Sequence, residues 1–337
     1  MWDRGKGRPF TVRAKIGFPA TLTYYSYFPF WKAFFEELGM QVVTSNPTSK
    51  STLDAGVRET VTDACVPIKL FHGHVMSIRD RVDFLFIPRM VSVGDKSTFC
   101  PKFLGLPEMI RYTLDRLPPL IDIRVDLMKG RGELFRVCQA IGKTLNTGWS
   151  TATRAYHKAI RKHRLYQKLL LDRYLPYQAM ARLFGEDEPA PASSHHDLNL
   201  AVLGYPYQVH DNYINVNLLG ILDKLGANVW TTEMVPPKLL RRHIKCLPKR
   251  LFWHYSNQVV WAAHHYLEQD FVDGIIHVTA FGCGPDAMVD KIMELDSRQR
   301  GRVPFMSLTI DEHTGQAGML TRLEAFVDMI RLRRDTA

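Results

Sequence analysis

The chain carries the same unit twice, without a gap, at an offset of 187 residues. Such repetition restricts the fold strongly, because a recurring unit must be one supersecondary block that packs against its own copy. In the first copy Ile16, Gly17, Phe18 and Pro19 open the unit and Leu38, Gly39, Val42 and Thr44 close it. In the second, Leu203, Gly204, Tyr205 and Pro206 open it and Leu225, Gly226, Val229 and Thr231 close it. Between these ends Phe30, Phe34 and Leu38, and likewise Leu218, Ile221, Leu222 and Leu225, share one helical face. Gly39 and Gly226 stand where a helix takes a left-handed residue before the chain enters a strand. Each copy thus reads strand, helix, parallel strand.

Further strands are predicted over 82–88, 274–278 and 303–310, with helices over 68–76, 259–267 and about 322–332. At 337 residues the chain is about twice the usual single-domain length. The expected architecture is α/β: two similar doubly wound, Rossmann-like parallel-sheet domains, over 10–125 and 197–334, with a basic helical insert and linker over 126–190. The linker is the Pro/Ser/Ala-rich run from 188 to 194. In such sheets ligands lie beyond the carboxyl ends of the strands, so the loops there are the place to look for chemistry.

The net charge of +10 is local. Residues 129–182 hold twelve basic side chains against Glu133 and Asp172, on segments free of proline from Arg131 to Leu175. Leu134, Val137, Cys138, Ile141 and Leu145 recur there at helical spacing, so the insert reads as helices with a basic face. That face is either a solvated surface or a dock for an acidic partner; no nucleic-acid motif accompanies it, and nucleic acid is not favoured. No run is long and apolar enough to cross a bilayer, and Met1 to Pro9 is charged and Gly-rich with no apolar stretch after it. A cytoplasmic protein is expected, without a secretory leader or membrane contact. Five cysteines, an odd number, point to free or metal-bound thiols rather than disulfides.

Three cysteines sit beside turn formers. Cys65 precedes Pro67 by two residues, Cys100 precedes Pro101, and Cys283 lies between Gly282 and Gly284 with Pro285 following. Proline stiffens a loop, and glycine lets backbone N–H groups approach sulfur, both useful around an anionic iron–sulfur cluster. Three thiolates from two domains leave one iron open. Zinc is disfavoured, since structural zinc takes four ligands in close pairs and no C-x-x-C occurs. The competing reading is that all three are small buried hydrophobes. Cys138, on an apolar helix face, and Cys246, in a basic stretch, are assigned no ligand role.

Asp311, Glu312 and His313 follow the last strand and offer two carboxylates and an imidazole for proton delivery; alternatively they cap the next helix. His72 and His74 offer ligand imidazoles, but near a helix end they are expected to cap it or face solvent. In the aromatic run 24–31, Phe30 and Trp31 read as core, and Tyr24 and Tyr25 as candidates to line a cleft. No phosphate-binding loop is present, so ATP binding through one is not expected.

Taken together, the strings KIGFP, YFPFWKAFFEELG, VDFLFIPR, CPKFLGLPEMIR, YINVNLL, FGCGPDAMVD and LTIDEHTGQAGMLTRLEAFVDM resemble the activase-related, 2-hydroxyacyl-CoA dehydratase-like family. The likeness covers about 14–122 and 198–333 and leaves out the basic insert. It implies kinship with dehydratase subunits and double-cubane cluster proteins, whose cysteines hold an iron–sulfur cluster, [4Fe-4S] or double-cubane, reduced by a separate ATP-dependent activase. By that resemblance Cys65, Cys100 and Cys283 are ligand positions. A homo- or heterodimer partner of the same family is a further implication. The expected role is a component of an iron–sulfur reductase or dehydratase system that passes low-potential electrons to a hard-to-reduce substrate. The alternative is a non-catalytic scaffold or cluster carrier. The resemblance assigns no substrate.

Overall fold

A computed structural model describes residues 14–94, 96–130, 132–185, 190–192 and 195–336. The first half runs β1 (Lys15–Phe18), α1 (Tyr24–Glu37), β2 (Gln41–Thr44), α2 (Lys50–Glu59), α3 (Val66–Ile78), β3 (Phe84–Phe86), β4 (Arg89–Ser92), α4 (Pro101–Leu104), α5 (Leu106–Thr113), β5 (Leu120–Ile121) and β6 (Arg124–Asp126). The insert is α6 (Glu133–Thr144), α7 (Trp149–Leu171) and α8 (Pro176–Phe184). The second half runs β7 (Leu198–Gly204), α9 (Pro206–Val209), α10 (Leu218–Lys224), β8 (Ala227–Thr231), α11 (Pro237–Leu240), α12 (His254–Leu267), β9 (Gly274–Ala280), α13 (Gly284–Arg300), β10 (Phe305–Ile310) and α14 (Gln316–Asp335).

The repeat is a repeat of topology. One four-stranded sheet has the order β2-β1-β3-β5 and the other, read from the same end, β8-β7-β9-β10; every pairing is parallel. Both are therefore doubly wound, with the strand order reversing beside β1 and beside β7. Gly39 and Gly226 hold φ of +86° and +74°, the left-handed turn that their positions predict.

The strand expected over 82–88 is shorter, β3 over Phe84–Phe86, and a further strand, β4, follows it. Pro88 has no N–H to give a ladder, and past it β4 leaves the main sheet to pair with β6. The last helix begins at Gln316, earlier than the periodicity indicates. Residues 10–13 and most of the linker expected over 188–194 lie outside the described residues.

Two departures carry more weight. His72 and His74 neither cap α3 nor face solvent; both are fully buried inside it. The helix is covered on nearly every side, and Gly56 and Gly73 let α2 lie directly on it: a Cβ at Gly73 would fall 1.9 Å from the Thr52 carbonyl oxygen. The aromatic run 24–31 lies wholly within α1, with Pro29 inside the helix. Pro29 cannot donate to the Tyr25 carbonyl one turn back. The Tyr166 hydroxyl of α7 takes that carbonyl instead. The insert is thus bound to the first domain, and Arg154 and Lys158 of α7 both pair with Glu37 of α1 at 2.7 and 2.6 Å. These partners hold the Glu37 carboxyl below its ordinary value.

Candidate functional site

The three cysteines beside prolines line one pocket. Cys65 is the residue before α3, Cys100 before α4 and Cys283 before α13, each in extended backbone with proline at one of the first two helical positions. Proline costs nothing there, since the first helical N–H groups have no intrahelical acceptor. Each helix therefore starts at a fixed angle with its sulfur at the tip.

The repeat explains the convergence. In each half one helix leads into the third sheet strand and another follows it. In the first half these are α3 and α4, tipped by Cys65 and Cys100. In the second they are α12 and α13, tipped by Trp253 and Cys283. Trp253 stands 188 residues after Cys65, one more than the repeat offset. Four helix starts meet, and three carry thiols.

Backbone contacts across the two halves fix the arrangement. The Thr98 N–H donates to the Phe252 carbonyl at 2.8 Å and the His254 N–H to the Thr98 carbonyl at 2.7 Å, joining the loop of Cys100 to that of Trp253. Gly282, at φ +77°, lies so close to Cys65 that an added Cβ would sit 3.3 Å from the Cys65 Cα. Lys69, buried four residues into the chain from Cys65, pairs with Glu312 at 2.8 Å and so ties α3 to the loop after β10. Lys69 holds the Glu312 carboxyl below its ordinary value.

Phe99, Phe103, Tyr205, Tyr207 and Tyr255 wall the pocket, with ring centroids 5.3 to 6.3 Å apart. It encloses about 30 Å³ at its centre within about 460 Å³ of empty space that opens to solvent. Burial pushes the Cys100 thiol up, and Cys65 adds to the shift. Cys283 is raised by burial, then by Asp286, Cys65 and Cys100. Lys102 Nζ stands 3.7 Å from the Cys65 sulfur. Negative charges gathered in an apolar pocket repel, so a set of thiolates there needs added positive charge among them. Among the described residues no three His, Cys, Asp or Glu side chains converge closely enough to hold a single metal ion.

Asp311, Glu312 and His313 are not among the residues that line the pocket. Asp311 closes its own turn, accepting from the His313 N–H and the Thr314 hydroxyl, both at 2.9 Å; Glu312 holds Lys69; His313 is exposed. Nor does Asp311 cap the next helix, whose preceding residue is Gly315. Cys138 is fully buried in α6, and Cys246, pushed up by burial to about 11, lies apart from the pocket. Of the aromatic run, Tyr25 and Tyr27 line a cleft beside the thiol pocket, which does not include Tyr24. The residues that motif reading missed are Tyr205, Tyr207, Trp253 and Tyr255; carrying the repeat offset across from Cys65 would have pointed to Trp253.

No helix among the described residues is long and apolar enough to cross a membrane. No curated protein matches the chain. The family described as the CoA enzyme activase uncharacterised domain (DUF2229) matches residues 15–235, about two thirds of the chain. That span includes Cys65 and Cys100 and runs straight through the basic insert, which the likeness of short strings had left out. With both its repeated βαβ unit and its insert inside the match, the chain belongs to the CoA enzyme activase uncharacterised domain family.

Proposed function

We propose that Cys65, Cys100 and Cys283 hold an iron–sulfur cluster in the pocket between the two halves. The observation that carries this reading is the meeting of three thiols at helix starts drawn from both halves, in a pocket walled by aromatic rings. The donor set fits the group. Soft thiolates suit iron and sulfide, and a centre several atoms wide suits thiols that do not converge on one point. The cationic irons would supply the charge that lets the thiols ionise together, and the starts of α3 and α13 add partial positive charge. Such a cluster supplies low-potential one-electron transfer.

This chain's own residues set the surroundings. The aromatic wall limits water at the thiols, Lys102 offsets negative charge beside Cys65, and the Lys69–Glu312 pair positions the helix that Cys65 begins. Glu312 is a positioning residue in this reading, and Asp311 and His313 shape its loop. Trp253 fills the fourth helix start, so the protein offers three ligands and one open iron. Exposed apolar side chains flank the pocket residues: Leu104 ends the helix after Cys100, Phe252 precedes Trp253, and Phe281 and Met288 bracket Cys283. They support docking of an electron-donating partner, an ATP-dependent activase, on this face.

Anaerobic reconstitution with ferrous iron and sulfide tests the reading. Wild type should gain about four irons per chain and a broad visible absorbance. Cys65→Ala, Cys100→Ala and Cys283→Ala should each lose most of both, and Cys138→Ala should lose neither. No iron in the wild type, or equal iron in all four variants, overturns it.

A further inference from the structure

A second and larger cavity adjoins the thiol pocket. It has a volume of about 420 Å³, within the range of small-molecule sites, and lies at the carboxyl ends of β7 and β8 under α1 and α7. His254 and Tyr255 line both spaces, so one wall separates them.

The lining holds exposed basic side chains and buried polar ones. At the outer lip Arg164 and Lys168, one helical turn apart on α7, are exposed and make no ion pair with any described residue. Glu233, on the segment after β8 and 16% exposed, lines it as well. Burial alone would raise its carboxyl, but His210, 3.3 Å away, holds it below its ordinary value and so keeps it ionised. Thr232 beside it, 7% exposed, lines the cavity, and its buried hydroxyl has no hydrogen-bond partner. His163 Nδ1, on the α7 side, is also buried without one. A buried polar atom left unpaired is costly, which makes these groups places for a ligand's polar atoms. Tyr25, Tyr27, Tyr166 and Tyr255 supply aromatic walls.

We infer that this cleft binds a small anionic molecule with an apolar or aromatic body and a hydroxyl or amino group at its far end. The anion meets Arg164 and Lys168, the rings pack on the body, and the distal donor reaches Glu233 and Thr232. The inference concerns binding alone and stands whether or not the neighbouring thiols hold iron.

Three probes separate the parts: 3-(4-hydroxyphenyl)propanoate, 3-phenylpropanoate without the hydroxyl, and 2-(4-hydroxyphenyl)ethanol without the carboxylate. Calorimetric titration of the full chain, both as purified and after iron removal, should give the first probe a Kd on the order of 1 mM or tighter. The other two should bind at least several-fold more weakly. The Arg164→Glu/Lys168→Glu variant, changed only at exposed positions, should weaken the first probe about tenfold and leave 2-(4-hydroxyphenyl)ethanol unchanged. Thr232→Val should weaken the first probe and not 3-phenylpropanoate. Failure of wild type to bind the first probe, equal binding of all three, or undiminished binding by the charge-reversed variant overturns the inference. Loss of iron with intact probe binding leaves it standing.

Discussion

Gly282 is one of the residues at which the two halves meet beside the thiols. Its φ of +77° already disfavours a side chain, and an added Cβ would crowd the Cys65 backbone at 3.3 Å. Gly282→Ala should therefore lower stability by about 1 kcal/mol through backbone strain and also displace Cys65. Denaturant unfolding measures the first effect. Iron content after reconstitution measures the second, and a drop larger than that of Gly284→Ala, where an added Cβ meets nothing within 4 Å, is the expected outcome. The sequence places both glycines beside Cys283; only the fold tells them apart, because one faces the other half and the other faces open space.

At the scale of elements, α7 is fixed to α1 by a bond that exists because of a proline. The Tyr25 carbonyl, left without its helical donor by Pro29, accepts from the fully buried Tyr166 hydroxyl. Tyr166→Phe leaves that carbonyl unpaired in a dry interface and should cost about 1–3 kcal/mol, read as a lower denaturant midpoint at unchanged slope. A Pro29→Ala partner change restores the helical donor and should recover part of the loss. The double-mutant cycle is the check, and strict additivity would show the two positions to be uncoupled. Helical periodicity in the sequence makes the insert legible as helices, yet not its attachment. The pairing of Tyr166 with a carbonyl 141 residues away has no local signature. His72 and His74 were misjudged for a related reason: their helix is enclosed on nearly all faces, so no polar side exists to reveal its orientation. His74 instead bonds Ser45 at 2.7 Å and Thr48 at 3.0 Å, and burial pushes it down to about 4.

For the molecule as a whole, buried histidines of opposite shift bound the pH range of stability. His277, fully buried in β9, would be lowered by burial, but Asp286 and Asp290 raise it to about 9 from the ordinary 6.5. A raised folded value means stability present below about 6.5 and lost as pH climbs through 9. His74 and His163, held neutral by burial and lowered to about 4, act in the other direction: their contribution is present above 6.5 and fades as pH falls toward 4. Stability should peak near neutrality, with each of these histidines worth up to about 3 kcal/mol. Unfolding midpoints from pH 4 to 10 test this, and His277→Gln should flatten the alkaline limb while sparing the acid one. The doubled architecture was legible in the sequence because each copy repeats its strand, helix and glycine turn at constant spacing. The thiol pocket was half legible: cysteine beside proline marks three helix starts, but their meeting depends on how one copy faces the other. The fourth start, tipped by Trp253, carries no cysteine to announce it.

The backbone stitch between Thr98 and the residues on either side of Trp253 sets how this molecule can breathe. Parting along that edge would break two interlobe hydrogen bonds at the very rim of the sulfur-lined chamber. The two lobes are thus clasped by main chain at that margin, a join that no side-chain substitution short of proline can delete.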